Sequence, residues 1–104
     1  MASRFISSRS DPASGTLTID VSGVFNYDCI ADFRAAYAAV EPAPSQVIVD
    51  MRQVETIDSA ALGMLLNMQR TLELDREHIR IINAPADVRR IFDITHFDQK
   101  FRIE

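Results

Sequence analysis

Between residues 46 and 72 the chain changes its apolar period, and that change limits what it can fold into. Gln46-Val47-Ile48-Val49-Asp50 is a short continuous apolar run, the pattern of a buried strand. Beyond residue 59 the spacing becomes helical. Leu62, Leu65, Leu66, Gln69 and Leu72 recur at i, i+3, i+4, i+7 and i+10, which predicts a helix from about Ala60 to Arg76 with these residues on its inner face. Met64 and Met68 fall together on a flank of that face. The junction reads Ile57-Asp58-Ser59-Ala60-Ala61-Leu62-Gly63, so one serine stands beside a carboxylate and ahead of three small residues, Ala60, Ala61 and Gly63.

The rest of the chain repeats this alternation. Arg4 to Ser8 is a weak strand, followed by the turn cluster Ser10-Asp11-Pro12-Ala13-Ser14-Gly15. Thr16 to Val21 alternates apolar and polar residues, and Gly23 marks its end. The two strands read as an antiparallel hairpin. Val24 to Asp28 is a loop, with Asp28 expected to cap the next helix. Ile30, Phe33, Ala36, Tyr37 and Val40 form that helix's stripe, and Pro42 and Pro44 stop it. Val47 to Val49 is too continuous for a strand with one wet face and is expected to be covered by helices, with Met51 to Thr56 as a connection. Ile79 to Ile82 is a further strand, in which Arg80 points to a less covered face. A third helix begins around Asn83-Ala84-Pro85 and buries Val88, Ile91, Phe92 and Ile94. Thr95 to Asp98 is a turn, and Phe101 to Ile103 a last strand. The order β-β-α-β-α-β-α-β implies one α/β domain over residues 1–104. Its central sheet is mixed, has about four to five strands and is packed with three helices.

Charge and composition remove several functions. The chain carries 11 basic and 15 acidic residues, a net charge of -4, and these are dispersed. Nucleic acid binding would require a basic face. No apolar run reaches the roughly 20 residues needed to span a bilayer, and Met1 to Arg4 lacks a secretory apolar region. Cys29 is the single cysteine; it reads as a structural thiol in a reducing, cytoplasmic compartment.

The junction serine admits two readings. Serine is a good helix N-cap, and so is aspartate. Yet the small residues beyond Ser59 leave its hydroxyl within reach of another protein, and a helix N-terminus tolerates negative charge. A hydrolase nucleophile is disfavoured. Ile57 and Ala61 replace the glycines of a nucleophile elbow, and neither His78 nor His96 stands in a triad pattern. Ligand-spaced His and Cys pairs, calcium loops and glycine-rich phosphate loops are lacking, so neither a metal nor a cofactor is expected. Met64 and Met68 suit packing at the edge of the core, or an adaptable partner surface, and Phe25 and Tyr27 could anchor an interface or cover the end of the sheet.

Four segments together resemble the STAS domain family, in particular its stand-alone bacterial anti-sigma factor antagonists. They are Val47-Ile48-Val49-Asp50; Ile57-Asp58-Ser59-x-x-Leu62-Gly63-x-Leu65-Leu66; Ile79-x-Ile81-x-Asn83-x-Pro85; and Val88-x-x-Ile91-Phe92. The resemblance implies a STAS-like fold and a non-enzymatic partner switch. A serine kinase of the histidine-kinase-like ATPase fold, which is often also the anti-sigma factor, would phosphorylate Ser59. A metal-dependent serine phosphatase would reverse the mark. It also implies a docking face made of Phe25, Asn26, Tyr27, Asp28, Asp58, Ser59, Ala60, Ala61, Gly63, Met64 and Met68. Asn26 stands where the family commonly has an aspartate, and Ala61 where it often has a glycine. The alternatives are an unphosphorylated accessory module of a transporter or sensor complex, or a small-ligand-binding domain. Whether the chain self-associates is left open.

Overall fold

A computed structural model of the chain describes residues 6–104. Its elements in order are β1 (Ile6–Asp11), β2 (Thr16–Phe25), α1 (Ile30–Ala38), β3 (Gln46–Ile57), α2 (Ser59–Leu72), β4 (Ile79–Ile82), α3 (Ala86–Ile94) and β5 (Arg102–Ile103), with short 3-10 turns at Tyr27–Cys29, Arg76–His78 and Phe97–Gln99. The sheet has five strands in the spatial order β1-β2-β3-β4-β5. β1 runs antiparallel to β2, and the other pairings are parallel. The mixed sheet, the three helices and their order agree with the sequence pattern. Of the expected first strand, Arg4 and Phe5 lie outside the described residues.

All three helices share one core. Leu17, Ile19 and Val21 of β2, Val47, Val49 and Met51 of β3 and Ile79 and Ile81 of β4 are buried on one face of the sheet. The alternate residues Thr18, Asp20, Ile48, Asp50 and Arg80 are only partly buried. The expectation that helices cover Val47–Val49 on both sides is therefore corrected. Ile48 stands among polar neighbours on an open face, and a β-branched residue suits such a half-buried, pleated surface. Arg80 did mark that face. It is held by Glu104, which also pairs with Arg102. Cys29 is a buried free thiol whose Sγ lies 3.5 Å from the Val24 carbonyl.

β2 and β3 are longer than their sequence pattern announces. They pair from Thr16↔Gln46 to Phe25↔Ile57, whereas β4 follows β3 only to Asp50. Register shifts fall between Asp20 and Ser22 and between Gly23 and Val24. Two extra residues are thereby taken up by β3, so its buried residues Met51 and Val54 lie three apart. An alternation rule sees a loop there. Gly23 adopts a φ of 74°, which only glycine reaches without strain, and the strand continues through it.

α2 departs from the expected face and end. It buries Ala61, Met64, Leu65 and Met68, with Leu62, Leu66 and Leu72 at the margin of the core. The true stripe is thus turned by one residue, because fully buried Ala61 brings the first turn close to the sheet. The helix stops at Leu72 because Glu73 is left-handed, at φ 55°, and its N–H returns to the Arg70 carbonyl. Neither glycine nor asparagine announces that stop. In α3, Ile94 is exposed instead of buried: it is the last residue of the helix, two positions and about 200° around the axis from buried Phe92.

Urea unfolding of two variants checks the turned stripe. Met68→Ala is expected to lose about 2–5 kcal/mol, as a large-to-small change in a closed core does. Leu62→Ala is expected to lose about 1 kcal/mol, having less area to re-expose. The reverse order would restore the face read from the leucines.

Candidate functional site

The ribbon of β2 and β3 ends with Phe25 beside Ile57, so the segments that follow the two strands emerge side by side. The first is a 3-10 turn. Asn26 caps it, its Oδ1 accepting from the Asp28 amide at 2.9 Å. Asp28 was expected to cap α1 and does not; no side chain does. Asn26 makes this bond without a charge, so the turn does not require an aspartate at that position. The turn packs against α2.

The second segment is Asp58-Ser59. Asp58 is extended, at φ -123° and ψ -176°, and its Oδ1 accepts from the Ala61 amide at 2.9 Å. Asp58 is therefore the N-cap, and Ser59 does not cap α2. Ser59 becomes the first residue of α2 and is exposed. Among the described residues, nothing hydrogen-bonds its hydroxyl or accepts the N–H of Ser59 or Ala60. A free hydroxyl beside two unmet amides is therefore presented to solvent at the positive end of a helix dipole.

Beside it, α1 and α2 leave a slot of about 280 Å³ lined by Ile30, Phe33, Arg34, Tyr37, Ala60, Gly63, Met64 and Asn67. Both helices start from the same end of the sheet, so Ile30 and Ala60 mark the end near Ser59. The far end is closed by Asn67 Nδ2, which donates to the Tyr37 hydroxyl at 3.4 Å. A ring contact ties α1 to β2, Phe25 to Phe33 at 5.3 Å between centroids, and within α1 Phe33 meets Tyr37 at 5.9 Å. Arg34 is exposed on the α1 wall and, among the described residues, has no carboxylate partner. Gly63 is exposed on the α2 wall, and a Cβ built on it meets no atom within 4 Å outside the helix's own backbone.

Three residues expected on the docking face belong to the interior. Phe25, Ala61 and Met68 are each 0% exposed. Phe25 ends the inward register of β2, and the turned stripe of α2 sends Ala61 and Met68 to the sheet. Met64 is nearly buried and reaches the surface only as the slot's floor. Asn26, Tyr27, Asp28, Asp58, Ser59, Ala60 and Gly63 remain accessible, with Tyr27 69% exposed. Arg34 and Asn67 were not anticipated. Their signal was present, since Arg34 is the one cation in α1 and Asn67 falls four residues after Gly63 on the same face.

The molecule's other polar features lie elsewhere. A depression of about 420 Å³ on the open sheet face is lined by Ser7, Arg9, Asp20, Val21, Ser22, Asp50, Arg52 and Gln53, and its Arg9 is already paired with Asp20. Asp75 is held below its usual range by the hydrogen-bonded His78 ring, and Glu104 by Arg80. Each lowered carboxyl contributes stability above its ordinary range that is lost as the pH falls through the lowered value. Both groups are solvent-exposed, so that contribution is screened. Among the described residues, no three His, Cys, Asp or Glu side chains gather as for a metal. No described helix is long and apolar enough to cross a membrane.

The separation of cap from hydroxyl is directly measurable. Asp58→Ala is expected to lose about 1 kcal/mol, within the range of about 0.5–2 for a lost cap. Ser59→Ala is expected to stay within about 0.5 kcal/mol of wild type. Gly63→Ala is expected to raise stability by about 1 kcal/mol and Tm by roughly 4–8 °C, because the helix gains and nothing clashes. A Ser59→Ala loss equal to that of Asp58→Ala would return the cap to the serine.

Residues 7–103 match a family described as Mlab, STAS domain. A STAS-domain containing protein of Pseudomonas aeruginosa (strain UCBPP-PA14) is 38% identical over 87 residues, covering 84% of this chain and 86% of that one. Solved structures share the fold. An anti-sigma factor antagonist from Mycobacterium paratuberculosis superposes with a TM-score of 0.73 at 24% identity, over 94% of this chain and 84% of that one. The anti-sigma factor antagonist SpoIIAA in its unphosphorylated form gives 0.69 at 17% identity, over 95% and 86%. A sulfate transporter family protein from Wolinella succinogenes also gives 0.69, at 16% identity, over 86% and 72%.

Proposed function

This chain belongs to the STAS domain family, and from that membership we propose that it is an anti-sigma factor antagonist working as a partner switch at Ser59. The observation that carries the reading is the free hydroxyl. Ser59 is exposed at the start of α2 while Asp58 makes the cap. A kinase can take the hydroxyl without breaking a bond that holds the helix.

In this reading the unphosphorylated chain binds a serine kinase of the histidine-kinase-like ATPase fold that is also an anti-sigma factor, and so keeps it from its sigma factor. The contact surface is Asn26, Tyr27, Asp28, Asp58, Ser59, Ala60 and Gly63. Phosphorylation adds about -1.5 to -2 charges at pH 7. The unmet amides of Ser59 and Ala60 and the helix dipole accept part of that charge, so the fold is kept. The partner cannot be kept as easily. A dianion sealed against a second protein loses its water, and Asp58 and Asp28 add repulsion. Moving the complex from 99% bound to 1% bound takes about 5.5 kcal/mol of differential affinity. One desolvated phosphate can supply most of that. A metal-dependent phosphatase resets the switch. The chain itself performs no chemistry.

Calorimetric titration of the serine kinase with wild type, Ser59→Ala and Ser59→Asp tests the switch. Ser59→Ala is expected to bind within about threefold of wild type, and Ser59→Asp at least about tenfold more weakly. Equal affinity across the three, or tight binding to a transporter subunit that Ser59→Asp leaves unchanged, would replace the switch with a constitutive accessory role.

A further inference from the structure

We propose that the slot between α1 and α2 receives one apolar side chain of the partner, carried next to a carboxylate, with the side chain seated over Gly63 and the carboxylate on Arg34. This deepens the partner-switch reading and rests on it for the identity of the partner.

Gly63 is the first argument. Glycine inside a helix costs about 1 kcal/mol relative to alanine. A glycine is kept in such a place when the backbone is strained or something packs close. Here neither applies within the molecule. Gly63 lies in the interior of α2, outside the positive-φ residues, and a Cβ there meets nothing. The space it leaves opens outward, into the slot.

Charge is the second. The slot's floor is apolar, formed by Ile30, Phe33 and Met64, and its rim carries one guanidinium, Arg34, without a carboxylate among the described residues. In a chain of net charge -4, an unpaired cation at the rim of an apolar slot selects an acidic group beside an apolar one.

Position is the third. Ser59 and Gly63 stand at i and i+4, neighbours on one helix face about 5–6 Å apart between Cβ positions. A group over Gly63 therefore abuts Ser59. A phosphate on Ser59 would add negative charge near the carboxylate seated in the slot, and like charges repel. The slot thus accounts for the sign of the switch, with phosphate releasing the partner.

Affinities for the serine kinase, measured with Gly63→Ala, Arg34→Gln and Arg34→Glu in the full chain, test the proposal. Gly63→Ala is expected to raise Tm yet weaken binding about tenfold, which separates contact from folding. Arg34→Glu is expected to weaken it more than Arg34→Gln. Reversing one partner carboxylate to lysine should restore Arg34→Glu and not Gly63→Ala. Wild-type affinity for both Gly63→Ala and Arg34→Glu, with Ser59→Asp still releasing, overturns the slot and leaves the switch standing. Loss with Gly63→Ala and Arg34→Glu, and none with Ser59→Asp, keeps the slot and overturns the switch. Should the kinase bind no form, acetyl-leucyl-glutamate amide at millimolar concentration is the probe. Amide shifts confined to α1 and the Ala60–Asn67 face, and absent in Arg34→Glu, support the slot; a spectrum without shifts overturns it.

Discussion

The hydrogen bond from the Ala61 amide to the Asp58 carboxylate, 2.9 Å long, determines what the rest of the surface can do. It ends β3, starts α2 and frees Ser59 from structural duty. The cap residue sits in the β region and its side chain takes an orphan amide of the first turn. With aspartate in that role, the residue after it is the first helical one, whose side chain has no donor to serve. Had Ser59 been the cap, phosphorylating it would have removed a bond worth about 1 kcal/mol from the helix it marks. Asp58 also places a negative charge at the positive end of the dipole, which stabilises α2. A phosphate on Ser59, as proposed, would share that field with Asp58, which favours a change in affinity over a change in fold.

That arrangement depends on the long β2–β3 ribbon. Pairing to Phe25↔Ile57 carries the junction beyond the end of β4 and sets the Asn26-capped turn next to the start of α2. The interior of this end is aromatic: Phe25 of β2 meets Phe33 of α1 at a tilt, and Phe33 meets Tyr37 edge-on. They fix the spacing of α1 from α2 and with it the slot. The opposite face of the sheet is organised differently, by exposed ion pairs such as Arg80–Glu104 and Arg102–Glu104, which contribute little to stability individually. One face folds the chain, and one end of that folded layer carries the exposed serine.

Much of this was legible in the sequence. The period change placed the strand and the helix, and Asp58-Ser59 was recognisable as their junction. Element order was readable because each strand and helix kept its own spacing over enough residues. Failures arose where two local rules overlapped. Register shifts in β3 separated Met51 from Val54 and disguised half a strand as a loop. Four leucines suggested the inner face of α2, while Ala61 and two methionines hold it. Methionine is apolar and adaptable, so its pattern fits a core as well as an interface. Phe25 was placed on the surface because the loop after it was; its strand in fact continues inward. Arg34 and the slot depend on two helices meeting, a relation between segments that no single window contains.

If Ser59 is the switch, it is covalently marked in the cell while α2 remains intact. Intact-mass and peptide analysis of the chain purified from native cells measures this most directly. The account predicts a fraction carrying an adduct of about 80 Da, the mass of one phosphoryl group of the kind placed on serine, confined to the peptide containing Ser59 and absent from Ser59→Ala. An unmodified Ser59 peptide in every growth condition, or an adduct on another residue that persists in Ser59→Ala, would contradict it.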